Sequence, residues 1–319
     1  MTTVDRSGPS WLPGAWTVRQ IPVDPGFSLA QTCGPVAWAA GRWPDLEWRD
    51  GCLIRVVRSL GLATPEVIWP SADGSSLLVA APGSIASNDL DGILQMHRVM
   101  PDWQDSVIAA LASRFSGLRP FAYGSVYLGL LTSIVGQSIS VASAATTQGR
   151  LAALLADPVE LAGRRFWPLP PASRLAEASV ELVRSSGVTW RRAEALVSIA
   201  RRAADGRLPS DRPGWSDLAS SDQLAALRDL PLVGPWTARS SLLWGVADDR
   251  VWPEGDAALL RAARLAYDDA GLDQAGLGRL AAGWGPAPGW AARLLWAGLF
   301  GAAPATMAPS QDGSVAALS

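Results

Sequence analysis

Lysine is absent from this sequence of 319 residues, and all 27 basic side chains are arginine. Schiff-base chemistry through a side-chain amine is therefore excluded, and only the N-terminal amine could replace it. The two cysteines, Cys33 and Cys52, are too few for a disulfide framework or a four-cysteine iron–sulfur cluster. His97 is the single histidine, and we interpret it as a packing or surface residue rather than a catalytic one.

The sequence also lacks a long apolar run and an excess of positive charge. No segment is apolar and unbroken over the length that spans a bilayer, and the first residues, MTTVDRSGPSW, lack a charged-then-apolar signal pattern. We therefore expect a cytoplasmic protein without membrane contacts. The net charge of −2 is poor evidence for a nucleic-acid-binding protein, since such proteins usually present a basic surface.

The composition is sufficient for a large hydrophobic core. The hydrophobic fraction of 49% is enough for one large or two moderate domains.

The first third of the chain has β character after an irregular start. Residues 1 to about 25 are rich in proline, glycine and tryptophan, which predicts an irregular segment. Short β-rich stretches separated by turn residues follow. They are VAWAAGRW (36–43), CLIRVVRSLG (52–61), PEVIWP (65–70) and SLLVAAPG (76–83).

Helical periodicity begins after these stretches. Asn88 to Met100 predicts a helix that begins at Asn88 or Asp89 and has His97 on its apolar face. From Ser106 onward strand signals disappear. Residues 125–155 are apolar and rich in small residues, which predicts a buried helix or a pair of helices. Residues 164–171 form a connector rich in proline and arginine, and residues 185–208 predict a further helix.

The segment 227–241 predicts two helices joined by a very short hairpin. Leu227 and Leu230 give the first helix an apolar face, and Pro231 ends it because proline lacks an amide donor. Gly234 permits the tight turn, and the second helix begins at Thr237. The first amides of that helix have no intrahelical partner, so with the helix dipole they form a binding site for phosphate. The turn has no side chain that could read a base, so the expected contact is with a nucleic-acid backbone.

Four stretches each match a different motif of one protein family. They are the hairpin LPLVG (230–234), the aspartate that ends VWPEGD (251–256), IVGQSISVA (134–142) and WGPAPGWAARLLW (284–296). Together they resemble the helix-hairpin-helix DNA glycosylase superfamily, in particular its alkyl-base branch, that of 3-methyladenine DNA glycosylase II. The resemblance covers roughly residues 25–300. The chain departs from the family at four places. Leu232 replaces a glycine, Ser138 a leucine, Ser240 a pocket tyrosine, and Pro288-Gly289 an Arg-Ser pair.

The resemblance implies an α+β N-terminal antiparallel-sheet domain followed by an all-α helix-hairpin-helix glycosylase domain. We place the first domain at residues 1–104 and the second at residues 105–303, with the hairpin at 227–241. Residues 304–319 are small and polar, and we expect them to form a disordered tail.

The resemblance also assigns roles to single residues. Asp256 takes the position of the catalytic carboxylate, and it also has the sequence pattern of a helix N-cap. Gln137, Trp236 and Trp296 take positions that bind the damaged base. A helix cap or a buried amide remains open for Gln137, and a core position remains open for both tryptophans. The expected DNA-binding residues are Ser138, Gly234, Thr237 and Ala238.

Ser138 cannot fill the space that an extruded base leaves, so either a neighbouring side chain does so or the insertion is weak. No cofactor and no metal-binding side chains are expected. The family's hairpin does bind a monovalent cation through backbone carbonyls, which by position are those of Arg228, Leu230 and Val233.

Trp236 stands where the members that also cut the strand have a lysine, which attacks the sugar and forms a Schiff base. We therefore expect a monofunctional glycosylase that excises alkylated purines from double-stranded DNA by base flipping and leaves an abasic site. An electron-rich indole suits a base made cationic by alkylation. Two alternatives remain: a glycosylase for oxidised or deaminated bases, and a non-catalytic protein that senses damaged DNA. A monomer is expected, because that is usual in the family.

Overall fold

An antiparallel sheet occupies the first part of the chain in the computed structural model, which describes residues 8–59, 62–83 and 90–304. Its strands are β1 (Thr17–Pro22), β2 (Leu46–Arg49), β3 (Cys52–Ser59), β4 (Leu62–Pro70) and β5 (Ser76–Ala81). They are hydrogen-bonded in the order β1-β5-β4-β3-β2, and every neighbouring pair is antiparallel.

Both faces of this sheet are covered. Leu53 and Ile68 enter one hydrophobic cluster, together with Phe121 from the helical part of the chain. Their chain neighbours Ile54 and Val67 point the other way and enter a second cluster. Because successive strand residues face opposite sides, this double cover explains why β5 is buried throughout instead of alternating between apolar and polar residues.

The sequence predicted β3, β4 and β5, but it was wrong about the stretch at 36–43. That part of the chain contains no strand: it follows α1 (Leu29–Thr32), includes the last two residues of α2 (Gly34–Ala37) and then turns. Pro35 lies in the first turn of α2, where its missing amide is tolerated, whereas in a sheet it would remove a ladder hydrogen bond. The segment expected to be irregular up to residue 25 contains β1, which pairs with β5 along its whole length.

The helix predicted from Asn88 to Met100 is shorter than expected. Its described part, α3, spans Leu90–Leu94. Gln95 has a φ of 51°, in the left-handed region, which ends the helix before His97 is reached. Nδ1 of His97 lies 3.0 Å from Oδ1 of Asp24 at the surface. The predicted caps, Asn88 and Asp89, lie outside the described residues.

Helices form most of the chain after residue 105. They are α4 (Ser106–Arg114), α5 (Val126–Gly136), α6 (Val141–Leu155), α7 (Ala172–Glu177), α8 (Val180–Arg184), α9 (Trp190–Ala204), α10 (Ser220–Arg228), α11 (Pro235–Val246), α12 (Ala257–Ala266), α13 (Gln274–Ala282) and α14 (Pro288–Phe300). The predicted helix pair at 125–155 is confirmed as α5 and α6, and the helix predicted at 185–208 is α9.

A small hairpin of β6 (Val159–Leu161) and β7 (Arg164–Phe166) corrects the expectation that strands end before Ser106. It includes part of the segment that we expected to be an irregular connector. Leu161 and Phe166 are buried against the sheet, in the cluster of Ile54. Strands of three residues are too short to show a period in the sequence.

Helices α5 and α11 pack with their backbones in close approach. A Cβ atom on Gly129 would lie 2.2 Å from the Ser241 carbonyl oxygen, and one on Gly245 would lie 2.7 Å from the Ser125 carbonyl oxygen. Only glycine fits at either position. The two helices are antiparallel, because the end of α5 lies against the start of α11, where Gln137 contacts Thr237. This packing positions the predicted site.

A buried ion network fixes α14. Arg293, 3% exposed, donates to the carbonyl oxygens of Phe121 (2.9 Å) and Leu243 (2.6 Å) and to Oδ1 of Asp249 (3.2 Å). Arg98 donates to Oδ2 of the same carboxylate at 2.9 Å. Burial raises the pKa of Asp249, although the charges of Arg293 and Arg98 act to lower it. The network therefore joins α14 to the end of α11 and to the segment before α5.

The predicted boundary at residues 104/105 stays a prediction. The cluster on one face of the sheet includes Ala145 and Ala303 as well as strand residues, so sheet and helices share hydrophobic core. In the described ranges, no single helix has the length and apolar composition needed to cross a membrane. Only α5 and α6 taken together reach that threshold, with a bend of 117° between them.

Candidate active site

The hairpin between α10 and α11 is built around Leu232 rather than Gly234. Leu232 has a φ of 59°, in the left-handed region that glycine adopts more readily. Gly234 is extended, with φ −81° and ψ −179°, and a Cβ atom there would meet nothing within 4 Å. The conformational role that we assigned to Gly234 is therefore wrong. Leu232 adopts the left-handed conformation itself, at a strain of about 1 kcal/mol or more.

Backbone amides at the start of α11 form a candidate anion-binding site. The helix begins at Pro235, two residues before the predicted start, and Gly234 is its exposed N-cap. The amides of Gly234, Trp236 and Thr237 have no acceptor among the described residues. Ala238 does not contribute, because its side chain is buried and its amide donates to the Gly234 carbonyl oxygen at 2.9 Å. Thr237 also has a buried side chain, which leaves only its amide.

Asp256 is the N-cap of α12, as its sequence context predicted. Its Oδ1 accepts from the amide of Leu259 at 2.7 Å. Its Oδ2 accepts from Nε1 of Trp236 at 3.0 Å. The side chain of Gln274 donates from α13 to the Asp256 carbonyl oxygen at 3.4 Å. The half-buried carboxylate thus has one donor from α11 and one from α12.

Gln137 links the end of α5 to the hairpin. Its Nε2 donates to the Leu232 carbonyl oxygen at 3.0 Å and to Oγ1 of Thr237 at 2.9 Å. Arg192 of α9 donates in turn to the Gln137 carbonyl oxygen. Gln137 is therefore the C-cap of α5, and its side-chain amide is hydrogen-bonded to the hairpin. A contact between Gln137 and a damaged base stays a prediction. No local pattern in the sequence indicates the contacts of Arg192 and Gln274, because both bond residues distant in the chain.

Trp296 is a core residue in this structure. Its side chain is 5% exposed and stacks on Trp244, with ring centroids 5.4 Å apart and an interplanar angle of 26°. Trp236, Ser240 and Trp244 follow one another at intervals of four residues, so they share one face of α11. Trp296 therefore lies on the same side of α11 as Trp236, two turns further along. Between them, the buried hydroxyl of Ser240 has no partner among the described residues.

A further aromatic residue lies close to Asp256 in the chain. Trp252, four residues before it, is half-buried and meets Trp284 edge to face, with centroids 5.9 Å apart. Trp284 donates to the Tyr267 hydroxyl at 2.9 Å, and Tyr267 donates to Oδ2 of Asp105 at 2.8 Å. The loop that leads to Asp256 thus rests on a bonded aromatic cluster, which its sequence, VWPEGD, did not reveal.

A cavity of about 750 Å³ lies at the opposite end of α11, lined among others by Val246, Ala247 and Arg250. Twelve helical residues separate it from the hairpin, a length of about 18 Å. Its charged side chains include two ion pairs, Arg250 with Asp248 and Arg98 with Asp249. In the part of the chain that the structure describes, no group of three or more His, Cys, Asp or Glu residues could hold a metal ion. The candidate site is therefore defined by Asp256 and the hairpin.

Comparison with known proteins gives relatives in sequence and in fold, while no family model matches. The DNA-3-methyladenine glycosylase of Bacillus subtilis (strain 168) is 24% identical over 179 residues, which is 56% of either chain. DNA-3-methyladenine glycosylase 2 of Escherichia coli (strain K12) is 28% identical over 196 residues, 61% of this chain and 66% of its own length. The chain thus spans less than two thirds of the length of these two relatives.

Solved structures match over most of the chain. The 3-methyladenine DNA glycosylase of Archaeoglobus fulgidus superposes with a TM-score of 0.66 at 19% identity, covering 88% of this chain and 97% of that one. MBOgg1, solved in complex with a low-affinity DNA ligand, gives 0.67 at 17% identity and covers 91% and 96%.

In sequence the chain is therefore similar to two glycosylases named for 3-methyladenine, and its fold is that of the solved DNA glycosylases. Both findings support the predicted resemblance to the alkyl-base branch of the helix-hairpin-helix DNA glycosylase superfamily.

Proposed function

We propose that this protein is a monofunctional DNA glycosylase, which extrudes an alkylated purine nucleotide from duplex DNA and hydrolyses its N-glycosidic bond. The observation that carries the proposal is the arrangement of Asp256, which accepts from Trp236 beside the free amides at the start of α11. A carboxylate and an anion-binding helix terminus are thus presented by adjoining elements. Both are needed by an enzyme that holds the DNA backbone and acts on the attached sugar.

The carboxylate supplies the charge that the reaction requires. As the glycosidic bond breaks, the base leaves with the bonding electrons and positive charge develops on the sugar ring. An ionised Asp256 stabilises that charge, and a water molecule then adds to the anomeric carbon and releases one proton to solvent. The N–H groups of Leu259 and Trp236 complement an ionised carboxylate because both are donors. An alkylated purine is cationic before cleavage and departs as a neutral base, so no strong general acid is required.

The proposal excludes strand cleavage through a side-chain Schiff base. The chain has no lysine, and Trp236 occupies the position where the lyases of the superfamily have one. An indole nitrogen cannot attack the sugar, because its lone pair belongs to the aromatic system. The product is therefore an abasic site in an otherwise intact strand.

DNA is held mainly through its backbone. The free amides of Gly234, Trp236 and Thr237 provide donors for a phosphate oxygen. Arg191, exposed at the start of α9, lies beside Arg192, which donates to the Gln137 carbonyl oxygen. Such contacts carry no sequence information, which suits an enzyme that searches for damage at any sequence. We propose double-stranded DNA as the partner, a monomeric state and a cytoplasmic location.

The hairpin also fits the monovalent cation of the superfamily. The carbonyl oxygens of Arg228 and Val233 accept no hydrogen bond within the described residues, and that of Leu230 accepts only the Val233 amide, at 3.2 Å. Carbonyl oxygens with free lone pairs are suitable ligands for a hard cation. Bound there, the cation would add positive charge next to the phosphate-binding amides.

The test is to incubate the protein with randomly methylated duplex DNA and to separate the released bases by chromatography. We expect release of 3-methyladenine or 7-methylguanine, with strands that break only after alkali and no borohydride-trapped adduct. Release from oxidised or deaminated DNA alone would change the substrate class. Binding to damaged DNA without release of any base would support a damage sensor instead.

A further inference from the structure

A large apolar side chain is exposed at the corner where α5 meets α6. The corner consists of Gln137-Ser138-Ile139-Ser140, and the helix direction changes by 117° across it. Ile139 is 39% exposed, whereas its three neighbours in the corner are polar. A single exposed apolar side chain is common on protein surfaces. Two further observations distinguish Ile139: hydrogen bonds fix the corner, and the corner adjoins the free amides at the start of α11.

The corner is fixed by bonds on both sides. Ser138 has a φ of 59°, a conformation that few residues other than glycine adopt, and such strain persists where neighbours over-determine the backbone. Gln137 is bonded to the hairpin and to Arg192. Ser140 caps α6 by accepting from the amide of Ser143 at 3.2 Å. Ile139 is therefore held in place on the surface with little freedom of its backbone.

The corner adjoins the anion-binding amides. The side chain of Gln137 reaches both Leu232 in the hairpin turn and Thr237 in the first turn of α11. The amides of Gly234 and Trp236 lie between these two contacts in the chain. A phosphate held there would place the duplex next to the corner, with Ile139 as its exposed apolar side chain.

We propose that Ile139 is the side chain that enters the duplex and fills the space left by the extruded nucleotide. The proposal rests on the proposed function, because a gap in the stack arises only if a nucleotide is extruded. An apolar side chain inserted between base steps offsets the loss of stacking. Ser138 has too little hydrocarbon for this, whereas the adjoining residue Ile139 presents a branched hydrocarbon side chain. Ile139 is thus a positioning residue, since it acts on the stack rather than on the reacting sugar.

The first experiment measures this without any excision step. The wild-type protein binds a duplex with a stable abasic analogue and the same duplex without it, with 2-aminopurine beside the analogue to report stacking. We expect tighter binding to the abasic duplex and a fluorescence change on insertion. Ile139→Ala should lose roughly tenfold or more of that preference, as expected for a buried aliphatic side chain. Ile139→Leu should keep it.

The matched control is Leu154→Ala. Leu154 has the same exposure, 39%, and lies near the far end of α6. The Leu154→Ala variant should bind both duplexes with the affinities of the wild type. Thermal melting of every variant identifies a loss of fold, and Ile139→Leu keeps the proposal testable if the alanine variant is unstable.

The outcomes separate the two proposals. If Ile139→Ala keeps the wild-type preference and fluorescence change, or if the wild type does not distinguish the two duplexes, Ile139 does not fill a gap and the inference is overturned. If the preference depends on Ile139 but no methylated base is released, the insertion stands and the proposed excision activity fails. If Ile139→Ala, but not Leu154→Ala, loses both the preference for the abasic duplex and the single-turnover release of methylated bases, both proposals are supported.

Discussion

Nε1 of Trp236 lies 3.0 Å from Oδ2 of Asp256, so a side chain in the first turn of α11 donates to the side chain that caps α12. The other carboxylate oxygen accepts from Leu259 at 2.7 Å. Two donors from different helices thus fix the plane of the carboxylate. We predicted Trp236 as a wall of the base pocket, and the hydrogen bond gives it the additional role of orienting Asp256.

Trp236→Phe keeps an aromatic ring and removes the donor. A hydrogen bond to a charged group contributes about 1.5–3 kcal/mol, so single-turnover excision should fall roughly tenfold to a hundredfold. The dissociation constant for undamaged DNA should not change. Trp38→Phe is a matched control, because it removes an indole donor that bonds the Gly301 carbonyl oxygen at 2.9 Å, away from Asp256. An unchanged rate in Trp236→Phe would show that this hydrogen bond does not orient the carboxylate.

Arg293→Met should destabilise the fold. The substitution removes the buried partner of Asp249 and leaves the carbonyl oxygens of Phe121 and Leu243 without their donor. Breaking a buried ion pair costs about 3–5 kcal/mol, which urea unfolding should detect as a lower free energy of unfolding. Arg174→Met provides the control, since Arg174 is 60% exposed in its pair with Glu177 and such pairs contribute little. Equal effects of the two variants would contradict the role of the network.

Asp45 should make stability depend on pH. Burial raises the pKa of Asp45 from its ordinary value of 3.8 to about 7, against the attraction of Arg164. The folded state then binds the proton more tightly than the unfolded state, so stability is lost as pH rises from 3.8 through about 7. Asp45→Asn removes the charge and should be more stable than the wild type at pH 8, with a smaller difference at pH 5. Urea unfolding at both pH values tests this, and a difference independent of pH would contradict it.

Local sequence patterns predicted several strands and helix caps correctly. Structure that depends on contacts distant in the chain could not be predicted in this way. The β-branched runs of β3 and β4 and the capping pattern at Asp256 are visible in the sequence. The stretch at 36–43 misled because its residues suit a strand, whereas Pro35 favours the first turn of a helix. The left-handed Leu232 was not foreseen, because the turn was expected to depend on glycine.

The contacts that build the site are non-local. Gln137 bonds residues 95 and 100 positions away, and Trp236 bonds one 20 positions away. No periodicity encodes such pairs. The family resemblance indicated which residues to consider, and the structure supplied their partners. The structure also shows that Trp296 stacks on Trp244 in the core and that the Ala238 amide is already hydrogen-bonded to the Gly234 carbonyl oxygen.

The measurement that tests the central claim most directly is single-turnover release of methylated bases by Asp256→Asn, with binding to an abasic duplex measured in parallel. Asparagine still caps a helix, so the fold should persist and binding should be unchanged. The rate should fall roughly a hundredfold or more, since the stabilising charge is lost. Asp273→Asn is the matched control, because Asp273 caps α13 in the same way, accepting from the Gly276 amide at 2.7 Å. Release at the wild-type rate by Asp256→Asn would contradict the assignment of Asp256 as the catalytic carboxylate.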